Sequence, residues 1–77
     1  MTENDLFEIV SNSLNVPREN IDLNTSSKNL DEWDSLGHLA ILTAIDKATG
    51  GKASEIETLA LASSLSEIFE ILKKNNI

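Results

Sequence analysis

The chain predicts an all-α fold: a small antiparallel four-helix bundle of three longer helices and one short one, with a long loop between the first two. Three observations predict it. Apolar residues recur at helical spacing in three separate stretches, capping residues bound those stretches, and no segment alternates apolar with polar as a half-buried strand does. A length of 77 residues corresponds to one domain, residues 1–77, with little core to spare. With one Trp, two Phe and no Tyr, that core must be built from Leu, Ile, Val and Ala.

The first helix is expected to begin after Thr2, whose hydroxyl can accept from a free amide of the first turn, while Glu3 and Asp5 complement the helix dipole. Leu6, Val10 and Leu14 follow at i, i+4 and i+8, with Phe7 beside them, and Asn15 and Pro17 end the helix. A long connection from Val16 to Trp33 is rich in Asn, Ser and Asp. Its apolar residues Ile21, Leu23 and Leu30 are expected to pin it to the core. Loops of this length in compact domains tend to be functional or packed by their own side chains.

The second helix is expected from about Ser35 to Thr49, capped by Asp34 or Ser35 and ended by the positive φ that Gly50-Gly51 supplies. A short helical piece from Glu55 to about Leu61 comes next. Ser64 to Glu67 then has the S-x-x-E form of a capping box, followed by Leu65, Ile68, Phe69 and Leu72 at helical spacing. Lys73 and Lys74 suit a helix C-terminus.

Composition narrows the function. Thirteen acidic residues against six basic ones give a net charge of -7, which disfavours nucleic acid and anionic lipid surfaces as partners. No cysteine is present, so disulfides, thiolate metal sites and a cysteine nucleophile are absent. The start, MTENDLFEIV, lacks the basic residues and long apolar run of a signal peptide, and no stretch approaches the roughly 20 apolar residues of a membrane span. The expectation is a cytoplasmic monomer.

The sole histidine, His38, leaves any metal site dependent on carboxylates alone, and no metal is expected. Ser35 and His38 lie at i, i+3 and suggest a nucleophile and its base. A hydrolase also needs oxyanion donors and a substrate pocket, which so small a bundle has little room to provide. His38 shares the face of Ile41, Leu42, Ile45 and Ala48, so it is read as a partly buried, hydrogen-bonded residue. On the opposite side Leu36, Ala40 and Thr43, with Leu39 at the margin, form a second stripe. It either packs on the loop or final helix or stays exposed as a docking surface beside Ser35. A serine at such a helix start is normally a cap. Held by a rigid helix beside a loop, with free amides nearby, it is also a good site for a phosphodiester.

Asp34-Ser35-Leu36 opens the second helix after a long loop, near the middle of a small acidic helical chain, and in this the sequence resembles an acyl carrier protein. The likeness covers essentially all 77 residues, including the long first loop, the Gly-Gly turn, the short third helix and the final helix. The resemblance implies that a phosphopantetheinyl transferase modifies Ser35 with 4'-phosphopantetheine from coenzyme A, using magnesium. The arm's thiol then carries acyl groups as thioesters to acyl-transferring or ketosynthase-type enzymes, as in fatty acid biosynthesis and related lipid metabolism. The carrier itself is not an enzyme. Asp34 and Leu36 would help partners dock, with Leu39 and Ala40 extending that surface, and short acyl chains would slip between the helices.

The sequence also departs from carriers of general fatty-acid synthesis. Gly37, Ala40 and Lys47 stand at positions where acids are usual, and the acidity lies upstream at Asp31, Glu32 and Asp34. Trp33 replaces a small or aliphatic residue and is read as a lid over the helix start. These departures point to a stand-alone carrier in a specialised fatty-acid, polyketide or related pathway. The alternatives are a D-alanyl carrier, which also uses Asp-Ser; a peptidyl carrier, whose usual glycines before the serine are missing here; or an unmodified acidic helical interaction module.

Overall fold

A computed structural model describes residues Met1–Ile77. It contains three α-helices and no strands: α1 (Glu3–Leu14), α2 (Ser35–Ala48) and α3 (Leu65–Lys74). The Cα radius of gyration, 11.0 Å, is that of a close-packed chain of this length.

Each helix begins at a side-chain cap. The Thr2 hydroxyl accepts from the Asp5 amide at 3.1 Å, and the Asp5 carboxylate accepts from the Thr2 amide at 3.0 Å, a reciprocal box that satisfies two donors the helix cannot. These bonds, the Thr2 amide first and the Thr2 side chain second, hold the Asp5 carboxyl below its ordinary value. At the other end Asn15 takes the left-handed conformation, φ 57° and ψ 46°, which Asn tolerates better than most residues. The Val16 amide returns to the Ser11 carbonyl, and the buried Ser11 hydroxyl donates to the Val16 carbonyl at 2.6 Å.

The long loop is held by its own polar side chains. The Asn24 amide donates to Asp22 at 2.7 Å, the Asp22 amide to the Thr25 hydroxyl at 2.9 Å, and the Ser26 amide to Asn29 Oδ1 at 2.9 Å. A 3-10 turn at Arg18–Asn20 places the Arg18 guanidinium 4.8 Å above the Phe7 ring, where it also donates to the Ile21 carbonyl and to Asn4. Ile21 is buried and Leu30 packs on the core, as expected, while Leu23 stays half-buried outside it. Val16, Thr25 and Trp33 add to the anchoring.

The loop is also fastened to the far end of the chain. The Ser27 amide donates to the Ser63 carbonyl at 2.9 Å and the Leu65 amide to the Thr25 carbonyl at 3.0 Å, around an antiparallel bridge between Ser26 and Ser64.

The core is aliphatic: Leu6, Val10, Ile41, Ile45, Leu59, Leu65, Ile68 and Leu72 are all but inaccessible. The arrangement of ends gives the directions of the helices. Leu14, at the end of α1, meets Gly37 at the start of α2, whereas Met1 and Asp5 share a depression with Ala48, Thr49 and Ile77. Helix α1 therefore runs against both of the others, and α2 and α3 begin at the same end of the molecule, where Asp34 and Ser35 face Ala62 and Ser63.

Two expectations change. The stretch where a short fourth helix was expected forms two 3-10 segments, Ala53–Glu55 and Glu57–Leu61, each entered without a side-chain cap. Gly50 and Gly51, with φ 67° and 90°, turn the chain away from α2, and Ile56, extended at φ -104° and ψ 95°, divides what remains before Ala62 into pieces too short for an α-helix. Ala48 is exposed rather than part of the apolar face, because Thr49 already begins the turn: its hydroxyl donates to the Ile45 carbonyl and accepts from the Ala53 amide.

Candidate functional site at the start of the second helix

The N-cap of α2 is Asp34. Its carboxylate accepts from the Gly37 amide at 2.8 Å and its carbonyl from the His38 amide at 2.8 Å. Ser35 takes no part in that cap. It is the first helical residue, its side chain is exposed, and no acidic side chain occupies the first turn of α2 beyond the cap. The amides of Ser35 and Leu36 precede the first intrahelical hydrogen bonds, so they and the positive end of the dipole remain available to an anion.

The second stripe of α2 is exposed, so it packs neither on the loop nor on α3. Leu36 is 77% exposed and Leu39 60%, while Ala40 is half-buried and the Thr43 hydroxyl turns back onto the Leu39 carbonyl at 2.8 Å. Leu61, 85% exposed, comes from the 3-10 segment. An open depression of about 530 Å³ lies between these elements, with Trp33, Ser35 and His38 on one side and Ala60 to Ser63 on the other. Carboxylates of Asp31, Glu32, Asp34 and Glu57 belong to the same two stretches, and neither Asn29 to Asp46 nor Ala53 to Leu72 contains a Lys or Arg. The surroundings of the three leucines are thus predominantly anionic, with Lys74 sharing a depression with Leu61 on its far side.

Beneath the site lies Trp33, only 3% exposed. The expected lid is a core residue. Its indole N–H donates to His38 Nδ1 at 3.0 Å, and His38 Nε2 sits 3.0 Å from the Leu59 carbonyl. The two rings are nearly coplanar, 13° apart with centroids at 6.0 Å, which is the geometry of an edge-to-edge hydrogen bond rather than of facing π-systems. With both ring nitrogens engaged elsewhere, His38 is not aimed at Ser35 as a base.

Gly37 was missed as a site residue. It is buried, and a Cβ there would overlap the Glu32 carbonyl oxygen and approach Leu14 Cδ2 to 2.9 Å. The loop backbone closes over α2 at this point, and only glycine admits it. A glycine in the first turn of an otherwise regular helix was the one available signal.

No group of three His, Asp or Glu side chains converges where it could hold a metal ion, and no helix is long and apolar enough to cross a membrane. A second open depression of about 530 Å³, lined by Met1, Asp5, Ile9, Thr49, Lys52 and Ile77, lies at the opposite end from Ser35. Compared with family models, with curated proteins and with solved structures, the chain gives no match.

Proposed function

We propose that this chain is a stand-alone acyl carrier protein whose Ser35 bears 4'-phosphopantetheine. The observation that carries the reading is the division of labour at the helix start. Asp34 does the capping, so the Ser35 hydroxyl is left exposed on a rigid helix beside two uncommitted amides. A serine needed only as a cap would stand one place earlier and accept from an amide two or three residues on, the role that Asp34 fills with the Gly37 amide.

The residues present fit the group. The Ser35 and Leu36 amides would face its phosphate, and the depression between Trp33 and Leu61 gives the arm an open path. When bound, the arm supplies a thiol that holds acyl groups as thioesters, chemistry a chain without cysteine otherwise lacks. Loading is a transfer catalysed by a separate enzyme. The Ser35 oxygen bonds to the phosphorus next to pantetheine, the pyrophosphate bond of coenzyme A breaks, adenosine 3',5'-bisphosphate leaves, and the serine proton passes to a base of the transferase.

Asp34, Leu36, Leu39 and Ala40 serve as the docking surface for the transferase and for acyl-transferring or ketosynthase-type partners. An apolar patch ringed by carboxylates suits a partner patch that is apolar at its centre and basic at its rim. The protein acts in the cytoplasm as a monomer, in a specialised fatty-acid, polyketide or related pathway, and we read the Glu57–Leu61 segment as the counterpart of the short third helix of a four-helix carrier. A D-alanyl carrier shares the same chemistry at Ser35.

Incubation of the purified protein with coenzyme A, magnesium and a broad-specificity phosphopantetheinyl transferase, followed by intact-mass measurement, tests the reading. The wild type is expected to gain one phosphopantetheinyl group and Ser35→Ala none. An unchanged wild-type mass, where a known carrier is modified in parallel, overturns it in favour of an unmodified interaction module.

A further inference from the structure

Three pieces of chain meet at His38: the turn carrying Trp33, helix α2 itself, and the Glu57–Leu61 segment. An indole N–H can only donate, so His38 Nδ1 must present a lone pair; a carbonyl oxygen can only accept, so Nε2 must carry the proton. One neutral tautomer satisfies both, and neither the other tautomer nor an aliphatic side chain can.

The Glu57–Leu61 segment needs such a tether. The hydrogen bonds that enter and leave it are long, Leu59 N–H to the Ile56 carbonyl at 3.2 Å and Ala62 N–H to the Leu59 carbonyl at 3.3 Å, as is common in short 3-10 pieces. Leu59 and Ala62 are buried, while Glu57, Thr58, Ala60 and Leu61 are exposed. Burial of Leu59 and Ala62 holds the segment against the core at two points but leaves the peptide planes between them free to turn. The His38 bond to the Leu59 carbonyl removes that freedom, and the residue set by the rotation is Leu61, which faces the same depression as Ser35.

We propose that His38 is a positioning residue. By accepting from Trp33 and donating to the Leu59 carbonyl, it fixes the Glu57–Leu61 segment so that Leu61 joins Leu36 and Leu39 in one surface beside Ser35. The occupant of that surface is a partner protein with an apolar patch and a basic rim, since the carboxylates Asp31, Glu32, Asp34 and Glu57 in the flanking stretches outnumber the one cation, Lys74, that lines a depression with Leu61. The role of Leu61 rests on the carrier reading, whereas the tether itself does not.

The test has an arm for each part. In the wild type, long-range 1H–15N correlations of the imidazole are expected to show the proton on Nε2; a proton on Nδ1 overturns the tether. His38→Leu, which keeps bulk and removes both polar functions, is expected to speed amide exchange at Leu59 and Ala62 about tenfold, the loss of one buried hydrogen bond, with Ile41 and Ile68 unchanged. His38→Gln, whose amide offers an acceptor and a donor at comparable spacing, is expected to restore protection. No change in exchange, or an equal change throughout α2 and α3, overturns the proposal.

With the transferase and coenzyme A, His38→Leu is expected to raise KM for the protein several-fold, more than it lowers kcat. Leu61→Ala is expected to raise KM in the wild-type background but not in His38→Leu. Additive effects of the two substitutions overturn the link between them. A wild type that is never modified overturns the carrier reading and the role of Leu61 together, and the exchange and tautomer results still decide the tether.

Discussion

Replacing Gly37 by alanine sets two effects of opposite sign against each other. On an exposed helical position the change would stabilise the protein by about 1 kcal/mol, because alanine loses less backbone entropy. At Gly37 the new methyl meets the Glu32 carbonyl oxygen, a backbone atom that cannot swing aside, and Leu14 Cδ2 at 2.9 Å. Relieving the overlap means moving the turn from Leu30 to Asp34, which carries the buried Trp33 and the Asp34 cap. Overpacking of this kind costs about 1–3 kcal/mol, and a weakened cap adds about 1 kcal/mol, so the net effect should be destabilisation by about 1–3 kcal/mol. For a domain of this length each kcal/mol corresponds to about 4–8 °C in Tm. Thermal unfolding followed at once by circular dichroism and by Trp33 fluorescence is the assay. The fluorescence of folded Gly37→Ala should also differ from wild type, because the turn has shifted. A variant as stable as wild type or more so would refute the claim that the loop closes on α2 through this glycine.

Other outcomes follow from the same geometry. Leu36→Asp should leave Tm within a few degrees of wild type: with Leu36 77% exposed, the lost burial is only about 0.5 kcal/mol. An acid in the first turn returns about 0.3–1 kcal/mol, close to the loss of helix propensity. Modification by the transferase should nonetheless slow; unfolding of the variant would show that Leu36 is core. The Asp5 carboxyl, held below its ordinary value by the Thr2 amide and then by the Thr2 side chain, contributes to α1 above the pKa of an unfolded aspartate, and that contribution is lost as pH falls through the lowered native value. Carbonyl-carbon NMR should therefore find Asp5 titrating below a free aspartate, and Thr2→Val should move it back upward.

The helix boundaries were legible wherever a local rule decides them. Thr2, Asp34 and Ser64 each accept from an amide of the first turn, and Gly50 and Gly51 have the positive φ that their type suggested. Helical periodicity located Leu6, Val10 and Leu14 correctly because α1 is amphipathic on its own. What was not legible depended on residues distant in sequence. Periodicity could show that α2 has a second apolar stripe but not what covers it, since that depends on where the loop and α3 lie. It also could not show that Trp33 folds under the helix start, because the loop's direction is set by its pairing with Ser63 and Leu65. Likewise Gly37 reads as a weak point in a helix until the Glu32 carbonyl is seen beside it. The 57–61 stretch has helix-forming residues, yet Ile56 and Ala62 are both extended and leave it too short for more than 3-10 geometry.

The pairing between Thr25–Ser27 and Ser63–Leu65 has a consequence in time. Contacts within α1 and its turn form between near neighbours in the chain and can be made early, whereas this closure spans about half of the sequence and must await Ser63 to Leu65. Until Leu65 has emerged from the ribosome, the loop lacks its far fastening, and the Leu59 carbonyl that His38 reaches has only just been made. The native setting of Ser35 therefore waits until the chain has been made through Leu65. An enzyme that recognises the folded surface around this serine would pass over chains that stop short of that closure.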